Sequence, residues 1–115
     1  MLSRVLLMND SRYPWLILVP RRPNISEIHH LSKDDQALLL SEISQTSKYL
    51  EKEYAPKKIN IGALGNIVAQ LHVHIVARHE GDAAWPGPVW GHSEALPYDG
   101  ENATEMVKKI KAEIS

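Results

Sequence analysis

Gln70-Leu71-His72-Val73-His74-Ile75-Val76-Ala77-Arg78 is the stretch on which the reading of this chain turns. Successive side chains of a β-strand point to opposite faces. Leu71, Val73, Ile75 and Ala77 then form a core-facing row, and Gln70, His72 and His74 share the other face. Neighbouring rings on that face are expected roughly 6 to 7 Å apart. One apolar face is ordinary for a half-buried strand. Two titratable imidazoles and an amide in a row on the other face need a reason.

Working outward, residues 67–77 are predicted to be strand. The segment before them, Gly62-Ala63-Leu64-Gly65-Asn66, reads as a turn, and residues 58–61 as a short strand. Further upstream, Trp15-Leu16-Ile17-Leu18-Val19 is apolar on both faces, as in a central strand covered on both sides. Pro20 and Pro23 end it, with Arg21 and Arg22 at its solvated exit. Residues 2–8 form a preceding strand, separated by a turn containing Asn9, Asp10, Ser11 and Pro14. Ser32 caps a helix over residues 33–54, where Asp34 and Asp35 suit the positive end of the dipole and Leu39, Ile43, Leu50 and Tyr54 recur at helical spacing. Pro56 stops it. Asn102-Ala103-Thr104-Glu105 resembles a capping box, opening a last helix to about residue 114 with Met106, Ile110 and Ile114 on one face.

Residues 81–100 hold three of the seven prolines and four of the six glycines, so they are expected to form an ordered loop. Its Trp85 and Trp90 either fold back on the core or cover a partner or substrate. Arg78 reads as a surface residue near the motif, and His29 and His30 as surface at the approach to the long helix. The order of elements predicts an α+β fold: an antiparallel sheet of about four to five strands, one long helix and a C-terminal helix. Residues 1–115 are expected to form a single domain.

The chain has no cysteine, which excludes disulfides, thiolate metal sites and cysteine nucleophiles and fits a reducing, cytoplasmic setting. Thirteen basic against fourteen acidic residues leave a net charge of −1, so no general field attracts a polyanion and nucleic acid is not an expected partner. The N-terminal apolar run is too short for a signal peptide or membrane span, and no membrane association is expected.

Neutral histidine is a nucleophile at physiological pH, and its protonated form donates to phosphate oxygens or leaving groups. Two on one face allow one to attack phosphorus while the other stabilises developing charge. Gln70 can orient a ring by hydrogen bonding, and the turn with Gly62, Gly65 and Asn66 can bring N–H groups to a phosphate. Spacing alone leaves three readings open: solvated histidines, a zinc site needing a third ligand from His29, His30, His79, His92 or a carboxylate, and catalysis.

The motif QLHVHIVARHEGD resembles the signature of the histidine triad (HIT) family of nucleotide hydrolases and transferases, His-x-His-x-His-x-x with apolar x. WLILVPRRP followed by EIHHLS and a long helix is similar to that family's central strand, basic exit and following helix. AWPGPVWG resembles the Trp-Pro segment after the triad in its Hint branch. The likeness spans roughly residues 5–92.

By this resemblance His72 matches the middle histidine, the family's nucleophile, which forms a covalent nucleotidyl-histidine. His74 matches the last histidine, which contacts phosphate and leaving group. Asn60 and Asn66 fall at positions near the phosphate, and Asp10 or Asn9 near the ribose contact. The resemblance implies a nucleotide substrate, a phosphoramidate or phosphoanhydride, no obligatory metal or other cofactor, and a homodimer. Because the chain begins close to its first strand, the N-terminal elements common in the family, often part of the base pocket, are expected to be absent. Two departures stand out: Gln70 replaces the first triad histidine, and Trp15 falls where a supporting histidine lies. They imply an altered network behind the reacting pair, or a nucleotide-binding or sensing module with little turnover.

Overall fold

The long helix α1, Lys33–Tyr54, begins and ends where local chemistry dictates. Ser32 Oγ accepts the Asp35 N–H at 3.1 Å, and Asp34 and Asp35 occupy the positive first turn. The helix stops at Ala55, which takes a left-handed φ of 45° just before Pro56. In the computed structural model, which describes residues 1–114, four strands accompany it: β1 (Ser3–Leu7), β2 (Trp15–Pro20), β3 (Lys58–Gly62) and β4 (Val73–Arg78). A second helix, α2 (Gly100–Ile114), closes the chain. Ser115, the last residue of the expected domain, lies outside the described residues.

The sheet is antiparallel throughout in the order β1-β2-β4-β3, an α+β arrangement in which β2 and β4 are central. Alternation sorts the two faces. Leu16, Leu18, Val73, Ile75 and Ala77 pack with Leu39 and Leu50 of α1 and Ile110 and Ile114 of α2. Each fully buried aliphatic side chain of this kind contributes about 1.5–3 kcal/mol. Trp15 and Val76 lie on the other face, covered by Tyr13, Ala84, Val89 and Trp90. The 79–91 loop therefore folds back over the sheet face opposite the helices, and both tryptophans go with it.

Three expectations are corrected. First, β4 begins at Val73, not residue 67. Its last ladder pairs are Leu18–Val73 and Gly62–His74, and farther along β2 Pro20 has no N–H to offer. Leu71 instead donates its N–H to the Ile25 carbonyl at 2.8 Å, and Ile67 is 98% exposed.

Second, Arg78 is not a surface residue but 1% exposed. Its guanidinium makes paired bonds to Asp82 at 2.8 and 2.9 Å, donates to Asn60 Oδ1 at 2.8 Å and lies over the rings of Tyr13 and Trp85. Asp82 also accepts the N–H groups of His79 and Trp85, so one ion pair pins the first part of the loop, residues 79–85.

Third, α2 starts at Gly100 rather than at Asn102, because Asp99 Oδ1 accepts the Asn102 N–H at 2.8 Å.

Candidate active site

β4 and the residue before it deliver the two imidazoles. His74 is the second residue of β4, flanked by Ile17 of β2 and Gly62 of β3, and is only 9% exposed. His72 stands just before the strand and is partly buried, with its ring centroid 5.1 Å from that of His74.

The hydrogen bonds assign the proton on each ring. His72 Nδ1 lies 2.7 Å from the main-chain carbonyl of Gln70. A carbonyl can only accept, so Nδ1 carries the proton and the neutral ring keeps its lone pair on Nε2. His74 is set the other way. Trp15 Nε1 lies 3.0 Å from His74 Nδ1, and an indole N–H can only donate. His74 Nδ1 is therefore the acceptor, and its proton sits on Nε2. Burial, with a smaller effect from neighbouring His72, pushes the His74 pKa down to about 4, so it is neutral at physiological pH.

Three aromatic rings enclose His74: Trp15 at 5.6 Å, Trp90 at 5.7 Å and His72. Trp90 also meets Trp15 edge-on at 6.2 Å and lies against Gly62, where an added Cβ would come within 3.0 Å of the indole. Gly62 is a glycine because the indole occupies the space of a side chain. On the side of His72 a cleft of about 190 Å³ opens between the turns at residues 26–29 and 63–65, lined by Ser26, Glu27, His29, Leu64, Gly65 and His72 among others. Gly65 takes a φ of 73° in that turn, a conformation that favours glycine. Among the described residues, no group of three His, Cys, Asp or Glu side chains is placed to hold a metal, so the third ligand of a zinc site is not assembled.

The HIT domain family model matches residues 1–81. A histidine triad protein from Sinorhizobium meliloti has 50% sequence identity and a TM-score of 0.93, over 97% of this chain and 83% of that one. The chain belongs to the histidine triad family. A histidine triad protein from Bradyrhizobium japonicum is 48% identical with a TM-score of 0.94, over 99% of this chain and 85% of that one. One from Marinobacter aquaeolei is 44% identical with a TM-score of 0.94, over 98% and 82%. A comparison with curated proteins finds no match.

In this HIT protein the expected site residues do not all converge. His72 and His74 meet, and Gln70 joins them through its main chain. The Gln70 side chain turns away and donates to the Arg22 carbonyl at 3.2 Å. Asn66 is exposed on the turn before the motif. Asn60 lies two residues beyond Gly62 from His74 and accepts from Arg78, so its carbonyl holds the loop clamp.

Asp10 sits at the opposite end of the sheet. The β1–β2 turn adjoins Trp15, which pairs with Val76, whereas His72 lies beyond the Leu18–Val73 pair. Asp10 is buried and bonded through both oxygens to Arg12. Burial raises its pKa, but the hydrogen bonds from Arg12 and Leu96 more than offset this and lower it. Asn9 accepts the Tyr98 N–H nearby. Sequence reasoning missed Trp15 as a direct donor to His74 and Trp90 as its cover. The only signals were a tryptophan at a histidine position and a tryptophan in a proline-rich loop.

Proposed function

We propose that this HIT protein is a nucleotidyl hydrolase or transferase acting on a nucleotide phosphoramidate or phosphoanhydride through a covalent nucleotidyl-His72 intermediate. The observation that carries the reading is the 2.7 Å contact from His72 Nδ1 to the Gln70 carbonyl. It leaves Nε2 unprotonated on a ring that borders the cleft, ready to attack without a separate base. His74, as an Nε2–H donor, stabilises charge on the phosphoryl oxygens. Asn66 and the Gly65 turn are proposed to meet the phosphate. Asn60 and Asp10 are proposed to act through structure, by holding the loop clamp and the β1–β2 turn. No cofactor enters the scheme.

Larger cavities exist, such as one of about 380 Å³ between β1 and α2, but no imidazole lines it. The chemistry selects the smaller cleft.

We further propose a homodimer of single-domain chains in the cytoplasm. The outer strand β3 carries exposed Ile61, with exposed Leu64, Ile67 and Val68 following it, an apolar flank that a second copy would cover. No helix is long and apolar enough to cross a membrane among the described residues.

The burial of His74 beneath Trp90 favours one competing reading, a nucleotide-binding module with little turnover. Turnover of AMP anhydrides and phosphoramidates by wild type and His72→Ala decides between them. Activity that disappears with His72 supports the hydrolase. Nucleotide binding with no turnover of any of these substrates supports the binding module.

A further inference from the structure

Trp15 does more than fill space beside His74. Its indole N–H is a donor with no accepting atom, and it meets His74 Nδ1 at 3.0 Å in a buried setting. Protonating Nδ1 would set two N–H groups against each other. Losing the Nε2 proton would leave an imidazolate, far too basic to form at neutral pH. His74 can therefore lend a hydrogen bond but cannot give up a proton.

His72 is no better placed as an acid, since its Nδ1–H is held by the Gln70 carbonyl and its Nε2 is the attacking atom. The other elements packed on His74 add no labile proton: β2 contributes Trp15 and Ile17, β3 contributes Gly62, and the loop contributes Trp90. His29 and Glu27 stand on the far wall of the cleft, both exposed to solvent.

On the basis of the nucleotidyl-His72 reading, we propose that Trp15 restricts this site to nucleotidyl groups carried on a weakly basic oxygen leaving group, a carboxylate or phosphate, and excludes alkylamine phosphoramidates. In the first step the His72 Nε2–P bond forms and the bridging P–O bond breaks. The bonding pair stays on the departing oxyanion, which needs no proton. An amine would have to take one as it leaves, and neither imidazole supplies it. In the second step water oxygen bonds to phosphorus, the P–Nε2 bond breaks with its pair returning to His72, and the proton lost by water passes to solvent.

The test compares an acyl adenylate (AMP joined to a carboxylate) with AMP joined to an alkylamine, using wild type, Trp15→His, Trp15→Phe and His29→Gln. Nitrogen NMR of wild type reads the His74 tautomer independently of any turnover. The expected results are an Nε2–H tautomer and a kcat/KM at least roughly 10²-fold higher for the anhydride, the span of a missing general acid. That ratio should fall at least about 10-fold in Trp15→His and in Trp15→Phe, where Nδ1 no longer faces an indole donor. His29→Gln should leave the ratio unchanged.

Wild type that cleaves the phosphoramidate within about 10-fold of the anhydride, or His74 protonated on Nδ1, overturns the restriction while leaving the nucleophile in place. A loss of phosphoramidate cleavage in His29→Gln also overturns it, by identifying His29 as the acid. Turnover of neither substrate by wild type overturns the nucleotidyl-hydrolase reading itself.

Discussion

Trp15 on β2 donates to His74 on β4 at 3.0 Å, and this bond makes Nδ1 the accepting nitrogen of an imidazole that burial keeps neutral. The stability of the protein should therefore depend on pH through His74. Its pKa falls from 6.5 to about 4 on folding. Between these values the unfolded chain binds a proton that the folded chain refuses, so stability is complete above about pH 6.5 and declines as pH falls toward about 4. The loss is at most about 3 kcal/mol. Urea titrations from pH 7 to 4 should show it, and His74→Gln should flatten the profile in that window.

Replacing Gln70 should matter less than its place in the motif suggests. The Gln70 main chain, not its side chain, holds His72, and the side chain bonds the Arg22 carbonyl instead. Gln70→Ala should keep kcat within about 10-fold of wild type, whereas His74→Ala, which deletes a donor to the phosphoryl oxygens, should lower it roughly 10²–10³-fold. Steady-state kinetics of both variants would show the order; equal losses would mean that the Gln70 amide reaches the substrate.

Much of the fold was legible because alternation and capping are local signals. Leu71, Val73, Ile75 and Ala77 face the helices as their spacing requires, and Ser32 caps α1 where its sequence context puts it. Long-range partners were not legible. The counter-charge of Arg78, Asp82, lies only four residues on, but the cation also contacts Tyr13 and Asn60, distant in sequence, which no local pattern reveals. The same holds within the site. The spacing brought His72 and His74 to one place, but the side-chain amide of Gln70 was turned by Arg22 and the proton on His74 was set by Trp15, both distant in sequence.

Gly62→Ala should disturb the cover on His74. The new methyl would sit 3.0 Å from the Trp90 indole, closer than ordinary contact, so the ring must shift. Overpacking of this kind costs about 1–3 kcal/mol. Thermal unfolding should register the loss, and tryptophan fluorescence the ring displacement; an unchanged spectrum and unfolding curve would contradict the packing described.

Asp82→Ala removes the partner of a guanidinium that is 1% exposed. Leaving a buried charge unpaired typically costs 3–5 kcal/mol. Denaturant unfolding should show a loss of that order, and the 79–91 loop should become protease-sensitive.

The central claim is that His72 Nε2 bonds to phosphorus. Rapid quenching of the wild-type protein during turnover of an acyl adenylate, in alkali to preserve a phosphorus–nitrogen bond, followed by peptide mass mapping, tests it directly. An AMP adduct on His72, absent from His72→Ala, is the predicted result. An adduct on His74 or another residue, or steady turnover by His72→Ala, would contradict it.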